Sequence, residues 1–260
     1  MSKQTLKVVK IGGNIINNDT VLHSFLKDFS EINEPKILVH GGGKKASEIA
    51  ISLGLEQKIL NGRRITDKPT LDVVTMVYAG LLNKNIVAKL QSFGCNAIGM
   101  SGADGNSIKA HKRVVETVDY GYVGDVEIVN SEIVDVLLQN NVTPVFCAIT
   151  HDKNGQLLNT NADTIASEIA IGMSNLYCIE LNYIFELKGV LATIKDENSV
   201  IIEINSEKHK QLIQQGIIVN GMLPKMENCF NALKKGVEKV KIGNVSLLDR
   251  NNKLYSTLSL

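Results

Sequence analysis

Three short apolar segments of this chain end in glycine-containing turns, and stretches of helical periodicity separate them. Residues 6–11 precede two glycines, residues 37–40 precede three, and residues 97–100 precede a loop that contains two more. A repeated succession of strand, glycine turn and helix is typical of a mostly parallel sheet with helices on both faces. The pattern therefore predicts an α/β fold, a three-layer αβα sandwich around a mostly parallel central sheet.

The remaining segments continue this alternation. We expect short β-hairpins at the edge of the sheet over 108–129, strands over 143–149 and 176–180, a hairpin turn at 152–155, and a last strand at 240–242. Short strands and turns are predicted between residues 190 and 204. Helices are predicted over residues 21–29, 44–54, 70–93, 131–138 with Ser131 as the cap, 162–173, 206–215 and 223–235.

The chain contains no internal repeat, low-complexity tract or proline-rich or serine-rich linker. We therefore expect one domain over residues 1–260, divided into two lobes of about residues 1–155 and 156–260.

Composition excludes several classes of protein. The chain has 28 basic and 27 acidic residues, a net charge of +1, which argues against a nucleic-acid-binding protein. No apolar stretch approaches the ~18 residues that a membrane span needs, and lysines interrupt the first apolar segment. The four cysteines lie far apart without metal-ligand spacing, and three lie in apolar runs that predict buried thiols. We expect a soluble cytoplasmic protein with no nucleic-acid or membrane partner.

The glycine turns predict a binding site for an anion. They follow predicted strands, and ligands of open parallel sheets bind at that edge. Glycine lets the backbone approach a ligand closely, and the first turn of a following helix offers unpaired N–H groups. Residues 41–46 fit the loose dinucleotide pattern GxGxxG/A, but residues 61–66 lack the acidic residue that supports it. The Walker pattern is also absent, because Lys45 stands where Ser or Thr is required.

Two further segments carry polar residues beside a predicted helix start. In the extended segment 159–163, the side chains of Asn159, Asn161 and Asp163 point to one side. Either Asn161 or Asp163 caps the helix, or the group meets a charged ligand. Lys225 lies in the first turn of a predicted helix, where a cation opposes the helix dipole. It is either an ordinary exposed lysine or part of a site.

In their order along the chain, these segments resemble the acetylglutamate kinases of the amino-acid kinase family. The matching segments are KIGG at 10–13, HGGG at 40–43, NGRRIT at 61–66, GMSGADG at 99–105, DYGYVG at 119–124, NTNAD at 159–163 and GMLPK at 221–225. They run through nearly the whole chain. The resemblance implies transfer of the γ-phosphoryl group of ATP to the side-chain carboxylate of N-acetyl-L-glutamate or a related N-acyl glutamate, in arginine biosynthesis.

The resemblance also implies roles for individual residues. Lys10 and Lys225 would be catalytic and would stabilise the transferring phosphoryl group, while Asp163 holds the two lysines in place. The physical chemistry agrees, because a glutamate carboxylate is ionised at neutral pH, with a pKa of about 4.3, and needs no general base. Bringing it up to a triphosphate requires positive charge and positioning instead.

The substrate sites follow from the same resemblance. Gly42, Gly43, Arg64 and Asn159 would bind the acylated amino acid in the N-terminal lobe, with Arg64 on its α-carboxylate. The planar guanidinium of an arginine suits that group better than a lysine would.

For the nucleotide, the resemblance implies binding by Lys10, Gly12, Gly13 and Lys225. The two glycines would offer N–H groups to the phosphates. Mg²⁺ would travel on the ATP phosphates, without a protein ligand. Arginine-inhibited hexameric relatives carry an additional N-terminal helix, so its absence before the first strand predicts a homodimer that arginine does not inhibit.

The chain departs from the family pattern after the strand predicted at 176–180. Relatives carry a Thr/Ser-Asp pair shortly before the glycine that corresponds to Gly189. Counting from Asp163 puts Asn182 in the Asp position, whereas counting back from Gly189 puts Glu186 there, which implies an insertion between them. A non-catalytic nucleotide or amino-acid sensor, and another carboxylate or carbamate kinase, remain as alternatives. The paired lysines favour catalysis and the Arg64 segment speaks against the other kinases.

Overall fold

The computed structural model describes residues 3–60, 63–219, 222–249 and 251–260. Three motif residues, Asn61, Gly62 and Gly221, lie outside the described residues. The strands are β1 Thr5–Ile11, β2 Lys36–His40, β3 Ile59–Leu60, β4 Arg63–Arg64, β5 Ala97–Met100, β6 Ile108–Lys112, β7 Gly124–Val129, β8 Thr143–Cys147, β9 Ile149–His151, β10 Leu157–Asn159, β11 Cys178–Ile184, β12 Glu203–Ile204, β13 Lys239–Gly243 and β14 Ser256–Leu258.

The α-helices are α1 Gly13–Ile16, α2 Asp19–Ser30, α3 Gly43–Ser52, α4 Lys68–Thr75, α5 Asn83–Ser92, α6 Ser131–Gln139, α7 Ala162–Met173, α8 Ser206–Gln214 and α9 Met222–Lys234. A π-helical segment, Met76–Leu82, joins α4 to α5, and 3₁₀ turns cover Asp104–Asn106 and Val245–Leu248.

The central sheet has eight strands in the order β12-β14-β13-β11-β1-β2-β8-β5. Neighbouring strands run parallel except β13 and β14, which are antiparallel. The predicted mostly parallel sheet is confirmed.

Both faces of this sheet are buried, because successive side chains of a strand point to opposite sides. Val8 packs with one apolar cluster and its neighbour Val9 with the other, and both are fully buried. Helices α3, α4, α6, α7, α8 and α9 supply the first cluster, whereas α1, α2 and α5 supply the second. The predicted three-layer arrangement is therefore confirmed.

The predicted hairpins over 108–129 do not lie at the edge of the central sheet. Strands β6 and β7 instead form a separate four-stranded sheet with β9 and β10, in the order β10-β9-β6-β7. The apolar run predicted as one strand over 143–149 supplies both sheets, because β8 ends at Cys147 and β9 begins at Ile149. The predicted turn then joins β9 to β10, with Asp152 Oδ1 accepting hydrogen bonds from the N–H groups of Asn154 and Gln156.

Three further expectations are wrong in detail. The strand predicted at 176–180 is β11 and continues to Ile184, because it lies between β1 and β13 and its backbone is paired on both sides. The strand at 240–242 is not the last, since β14 follows it. Ser131 does not cap α6, whose N-cap is Asn130 without a side-chain hydrogen bond. No helix within the described ranges has the length and apolar character needed to cross a bilayer.

Candidate active site

Three parallel strands end at the same level of the sheet. The last residue of β1, Ile11, is in register with the last residues of β2 and β11, His40 and Ile184. The chain therefore leaves the sheet side by side at Gly12, Gly41 and Phe185. Ligands of open parallel sheets bind at this edge, and the predicted site residues converge there.

A buried ion pair lies at the centre of this edge. Lys10 Nζ of β1 lies 2.6 Å from Asp163 Oδ1 in the first turn of α7, and both residues are buried. The carboxylate offsets part of the cost of burying the ammonium group. The sequence analysis assigned Asp163 to both lysines, and its carboxylate is in ion-pair contact with Lys10.

Helix α7 is anchored so that Asp163 faces the strand. Asn161 caps the helix, its Oδ1 accepting hydrogen bonds from the N–H groups of Asp163 and Thr164. The hydroxyl of Tyr183 in β11 donates to the Asp163 carbonyl at 3.0 Å. Of the two possible capping residues, Asn161 caps α7, which leaves the Asp163 carboxylate for Lys10.

Lys225 reaches the same place from the first turn of α9. Its Nζ lies 3.8 Å from the centre of the Phe185 ring, and Lys10 Nζ lies 5.0 Å from the same ring. Burial lowers the pKa of Lys225, an effect that the nearby Asp163 carboxylate opposes and the Lys10 ammonium group reinforces. The structure thus brings together two lysines that are far apart in the sequence.

Gly12 and Gly13 differ from the sequence expectation. The Gly12 N–H donates to the Ile184 carbonyl at 3.0 Å, so it is not free to meet a phosphate. This prediction is wrong because the strand ladder between β1 and β11 extends one residue beyond the strand ends. Gly13 begins α1, where helical N–H groups have no partner within the helix, and the space where its Cβ would lie is open.

Gly42 cannot carry a side chain. Its φ is +152°, and a Cβ would lie 2.3 Å from Leu82 Cδ1 and 3.0 Å from Tyr78 Cδ1. Both side chains come from the π-helical segment Met76–Leu82, and such segments are frequent at functional sites. Packing beneath the loop therefore requires glycine at this position.

Arg64 lies against the first turn of α3. Its Nη2 donates to the Gly43 carbonyl and to Ser47 Oγ, both at 2.8 Å, and its Nη1 donates to Gln57 Oε1. A Cβ added at Gly43 would lie 3.7 Å from Arg64 Nη2. The predicted Gly43 and Arg64 are therefore in direct contact.

Asn159 is tied to the Arg64 segment. Its Nδ2 donates to Thr66 Oγ1 at 3.0 Å, and Thr66 is fully buried two residues beyond Arg64. Thr66 in turn bonds through its backbone to Tyr120 and Tyr122. The segment 119–124 thus links the chain just after β4 to β10, which carries Asn159.

A profile of the amino acid kinase family matches residues 5–244 of the chain. The chain belongs to the amino acid kinase family. It is 53% identical over 240 residues to the acetylglutamate kinase of Cytophaga hutchinsonii, covering 92% of this chain and 91% of that protein. It is 51% identical over 247 residues to the acetylglutamate kinase of Phocaeicola vulgatus, covering 95% of this chain and 96% of that protein. A crystal structure of smu.665 from Streptococcus mutans UA159 superimposes with a TM-score of 0.80 at 26% identity, covering 98% of each chain.

This amino acid kinase also contains a buried polar pair that sequence reasoning missed. His40 Nδ1 contacts the Gly41 carbonyl at 2.8 Å, and its Nε2 lies 3.0 Å from Asn83 Nδ2. Burial lowers the pKa of His40 to about 4, so at neutral pH the ring is uncharged, with Nδ1–H donating and Nε2 accepting. Through its ring, the pair holds the Gly41 carbonyl at the start of the glycine loop. Only the position of His40 directly before the glycines hinted at this role.

The departure from the family pattern has a structural explanation. Asn182 is fully buried in the middle of β11, in register with Val9 of β1 and Lys241 of β13. Glu186 is exposed two residues beyond the end of the strand, and burial lowers the pKa of Lys225, an effect that the Glu186 carboxylate partly opposes. Of the two possible counts, the one from Gly189 therefore puts a carboxylate at the site edge of this amino acid kinase.

The donor set of this edge is cationic. Among the described residues, no three His, Cys, Asp or Glu side chains are grouped as a protein metal site requires. Asp163 is already paired with Lys10. Two ammonium groups and backbone N–H groups suit the phosphates of a nucleotide, and such phosphates can carry a metal ion without a protein ligand.

Proposed function

We propose that this chain transfers the γ-phosphoryl group of ATP to the γ-carboxylate of N-acetyl-L-glutamate, a step of arginine biosynthesis. The relatives that it matches at 51–53% identity, over nearly their whole length, are acetylglutamate kinases. The observation that carries the proposal is the Lys10–Asp163 pair with Lys225 beside it, at the edge where three parallel strands end. A non-catalytic sensor has no need for a buried lysine and a half-buried lysine around one carboxylate.

The reaction itself needs no proton transfer by the protein. An oxygen of the ionised γ-carboxylate forms a bond to the γ-phosphorus, and the bond from that phosphorus to the β–γ bridging oxygen breaks. ADP leaves with the electron pair, and the product is an acyl phosphate. The pKa of about 4.3 of a glutamate carboxyl group keeps the attacking oxygen ionised at neutral pH.

The two lysines supply the positive charge that this step requires. Lys10 and Lys225 bind the phosphates and stabilise the charge that spreads over the transferring group. Asp163 positions Lys10 through their ion pair. Because Lys10 and Asp163 are buried and already paired, little reorganisation is needed when the substrates meet.

The acylated amino acid binds at the Gly42–Arg64 side of the same edge. Gly42 and Gly43 let the substrate approach the backbone, Arg64 pairs with its α-carboxylate, and Asn159 contributes its side-chain amide. The contact of Arg64 with Gly43 and that of Asn159 with Thr66 support this assignment. The first lobe, about residues 1–155, thus holds most of the amino-acid site, with Asn159 just beyond it.

The nucleotide binds toward the second lobe, about residues 156–260. Gly13 offers an N–H group and Gly12 offers close approach to the phosphates, with Lys10 and Lys225 on the γ-phosphoryl group. Mg²⁺ would be carried by the phosphates rather than by a protein side chain, and it would neutralise phosphate charge. The cationic donor set of the site supports this division of roles.

We also infer a cytoplasmic homodimer. All four cysteines are free thiols, as is usual in a reducing compartment. Strand β5 is an edge of the central sheet and exposes Ile98, which is 41% exposed, and such edges pair readily with a second copy. Size measurement in solution tests the dimer.

A hydroxylamine-trapping assay tests the function directly. The protein is supplied with ATP, Mg²⁺ and one acceptor at a time: N-acetylglutamate, N-succinylglutamate, glutamate, aspartate or carbamate. We expect an acyl hydroxamate from N-acetylglutamate and none from free glutamate or aspartate. Turnover with carbamate alone would identify another kinase of the family, and nucleotide binding without turnover of any acceptor would identify a sensor.

A further inference from the structure

Phe185 contacts both lysines of the site. It is the first residue after β11, and Lys225 Nζ and Lys10 Nζ lie 3.8 Å and 5.0 Å from its ring centre. Both distances are within the ~6 Å over which an aromatic face attracts a cation. One ring thus serves two cations that the sequence places more than two hundred residues apart.

The ring is held by β13 and β11, and β11 also contacts the helix that carries Asp163. The Phe185 N–H donates to the Gly243 carbonyl at 2.8 Å. Its ring lies parallel to that of Tyr183, with centres 6.1 Å apart and planes at 2°. Tyr183 in turn holds the Asp163 carbonyl through its hydroxyl. The position of the ring is therefore coupled to that of the carboxylate.

The two lysines of the site differ in their charged partners. Lys10 has a carboxylate at 2.6 Å, whereas within the described residues Lys225 makes no ion pair closer than 4.0 Å. Without other restraint, its long side chain would turn toward solvent or compete with Lys10 for Asp163. An aromatic face attracts an ammonium group without neutralising its charge.

We propose that Phe185 is a positioning residue of the phosphoryl transfer, whose ring holds the Lys10 and Lys225 ammonium groups in place before ATP binds. This proposal rests on the proposed function. Among the described residues the ring, and not a carboxylate at ion-pair distance, is the contact of the Lys225 ammonium group, so its positive charge remains available for the γ-phosphoryl group.

Kinetics separate the electrostatic effect of the ring from its bulk. We expect Phe185→Leu to lower kcat about tenfold or more, while Phe185→Tyr keeps it within about threefold, because tyrosine retains the aromatic face. The KM for N-acetylglutamate should change little in both, since Arg64 and Asn159 are untouched. Equal activity of the leucine variant and the wild type would overturn the proposal.

A fluorination series makes the test sharper. Replacing Phe185 by 4-fluoro-, 3,5-difluoro- and pentafluorophenylalanine weakens the negative ring face while the shape stays close to that of phenylalanine. We expect log kcat to fall steadily along the series. The same substitutions at Phe25, a fully buried core residue, are the control and should leave kcat unchanged. A flat series at Phe185 would show that only its bulk matters.

Lysine NMR tests the placement without relying on activity. In protein carrying ¹³C-labelled lysine, the ε-methylene signals of Lys10 and Lys225 should be displaced by the ring current of Phe185. The variants Lys10→Arg and Lys225→Arg assign these signals. In Phe185→Leu, both chemical shifts should move toward those of exposed lysines. Unchanged signals in the leucine variant would overturn the proposal. If the wild type failed to phosphorylate N-acetylglutamate, the proposed function would fail while this measurement still reported the lysine positions.

Discussion

The Lys10 ammonium group lies 2.6 Å from the Asp163 carboxylate, and both residues are buried where three parallel strands end. The pair joins the first strand of the sheet to the first turn of α7. Lys225 approaches the same point from α9, so that two cations share the neighbourhood of one anion. This arrangement of charge is what the expected effects of substitution depend on.

Lys10→Ala and Lys225→Ala should each lower kcat by about 10²–10³, because each removes a positioned donor for the transferring phosphoryl group. The KM for N-acetylglutamate should change far less. Steady-state kinetics with both substrates varied measure the split. Lys7→Ala is the control, since Lys7 lies on the same strand but pairs with Glu34 at 3.3 Å. Full turnover in the Lys10 variant would contradict its role.

Asp163→Asn should destabilise the fold by about 3–5 kcal/mol, because it leaves the Lys10 ammonium group buried without its counter-ion. Urea unfolding measures the change in the free energy of unfolding. The double variant Lys10→Met with Asp163→Asn should be more stable than Asp163→Asn alone, since the unpaired charge is gone. If the changes in unfolding free energy of Lys10→Met alone and Asp163→Asn alone added up to that of the double variant, the ion pair would not couple the strand to the helix.

Arg64→Lys should raise the KM for N-acetylglutamate by about 10–100-fold and leave the KM for ATP almost unchanged. A lysine cannot reproduce the planar, forked contact of an arginine with a carboxylate. Arg63→Lys is a matched control, because Arg63 is the exposed neighbour on the same strand. An equal change in both KM values for the Arg64 variant would argue for general disruption of the site.

Gly42→Ala should destabilise the protein by about 1–3 kcal/mol, because the added Cβ would lie 2.3 Å from Leu82 Cδ1 at a φ of +152°. The KM for N-acetylglutamate should rise as the loop shifts. Thermal unfolding and kinetics on the same preparations measure both effects. Gly80→Ala should be tolerated, since nothing lies within 4 Å of its Cβ position. Equal melting temperatures of the two variants would contradict this account.

His40 should make stability fall as pH decreases from about 6.5 to about 4. Burial lowers its pKa in the folded protein to about 4, whereas the unfolded chain takes up a proton below about 6.5. The contribution of His40 to the free energy of unfolding is therefore fully present above pH 6.5. It falls by roughly 1.4 kcal/mol per pH unit between pH 6.5 and pH 4. Urea unfolding at pH 7.5 and pH 5 should show a smaller difference for His40→Gln than for the wild type. The control His23→Gln, at an exposed histidine, should keep the wild-type difference.

The site could be predicted from the sequence only in part. The glycine turn at 41–43 was identifiable because it follows a predicted strand, whereas the roles of Lys10, Gly42 and Gly43 came from the resemblance to acetylglutamate kinases. The sequence could not show that the Gly12 N–H is unavailable to a ligand, because it donates to the Ile184 carbonyl of a strand that is distant in sequence. The His40–Asn83 contact and the Phe185 ring were missed for the same reason: each gains its partner from another element.

The sequence by itself determined the alternation of strands and helices, the glycine turns after strands, and the residue types available for phosphate chemistry. These features depend on local periodicity and backbone preference, which act between near neighbours in the chain. The tertiary structure alone decided the length of β11, the separate sheet of β6 and β7, and the partners of Lys10 and Lys225. Those features depend on which strands lie side by side and on the cost of burying charge, and both arise only when distant segments pack together.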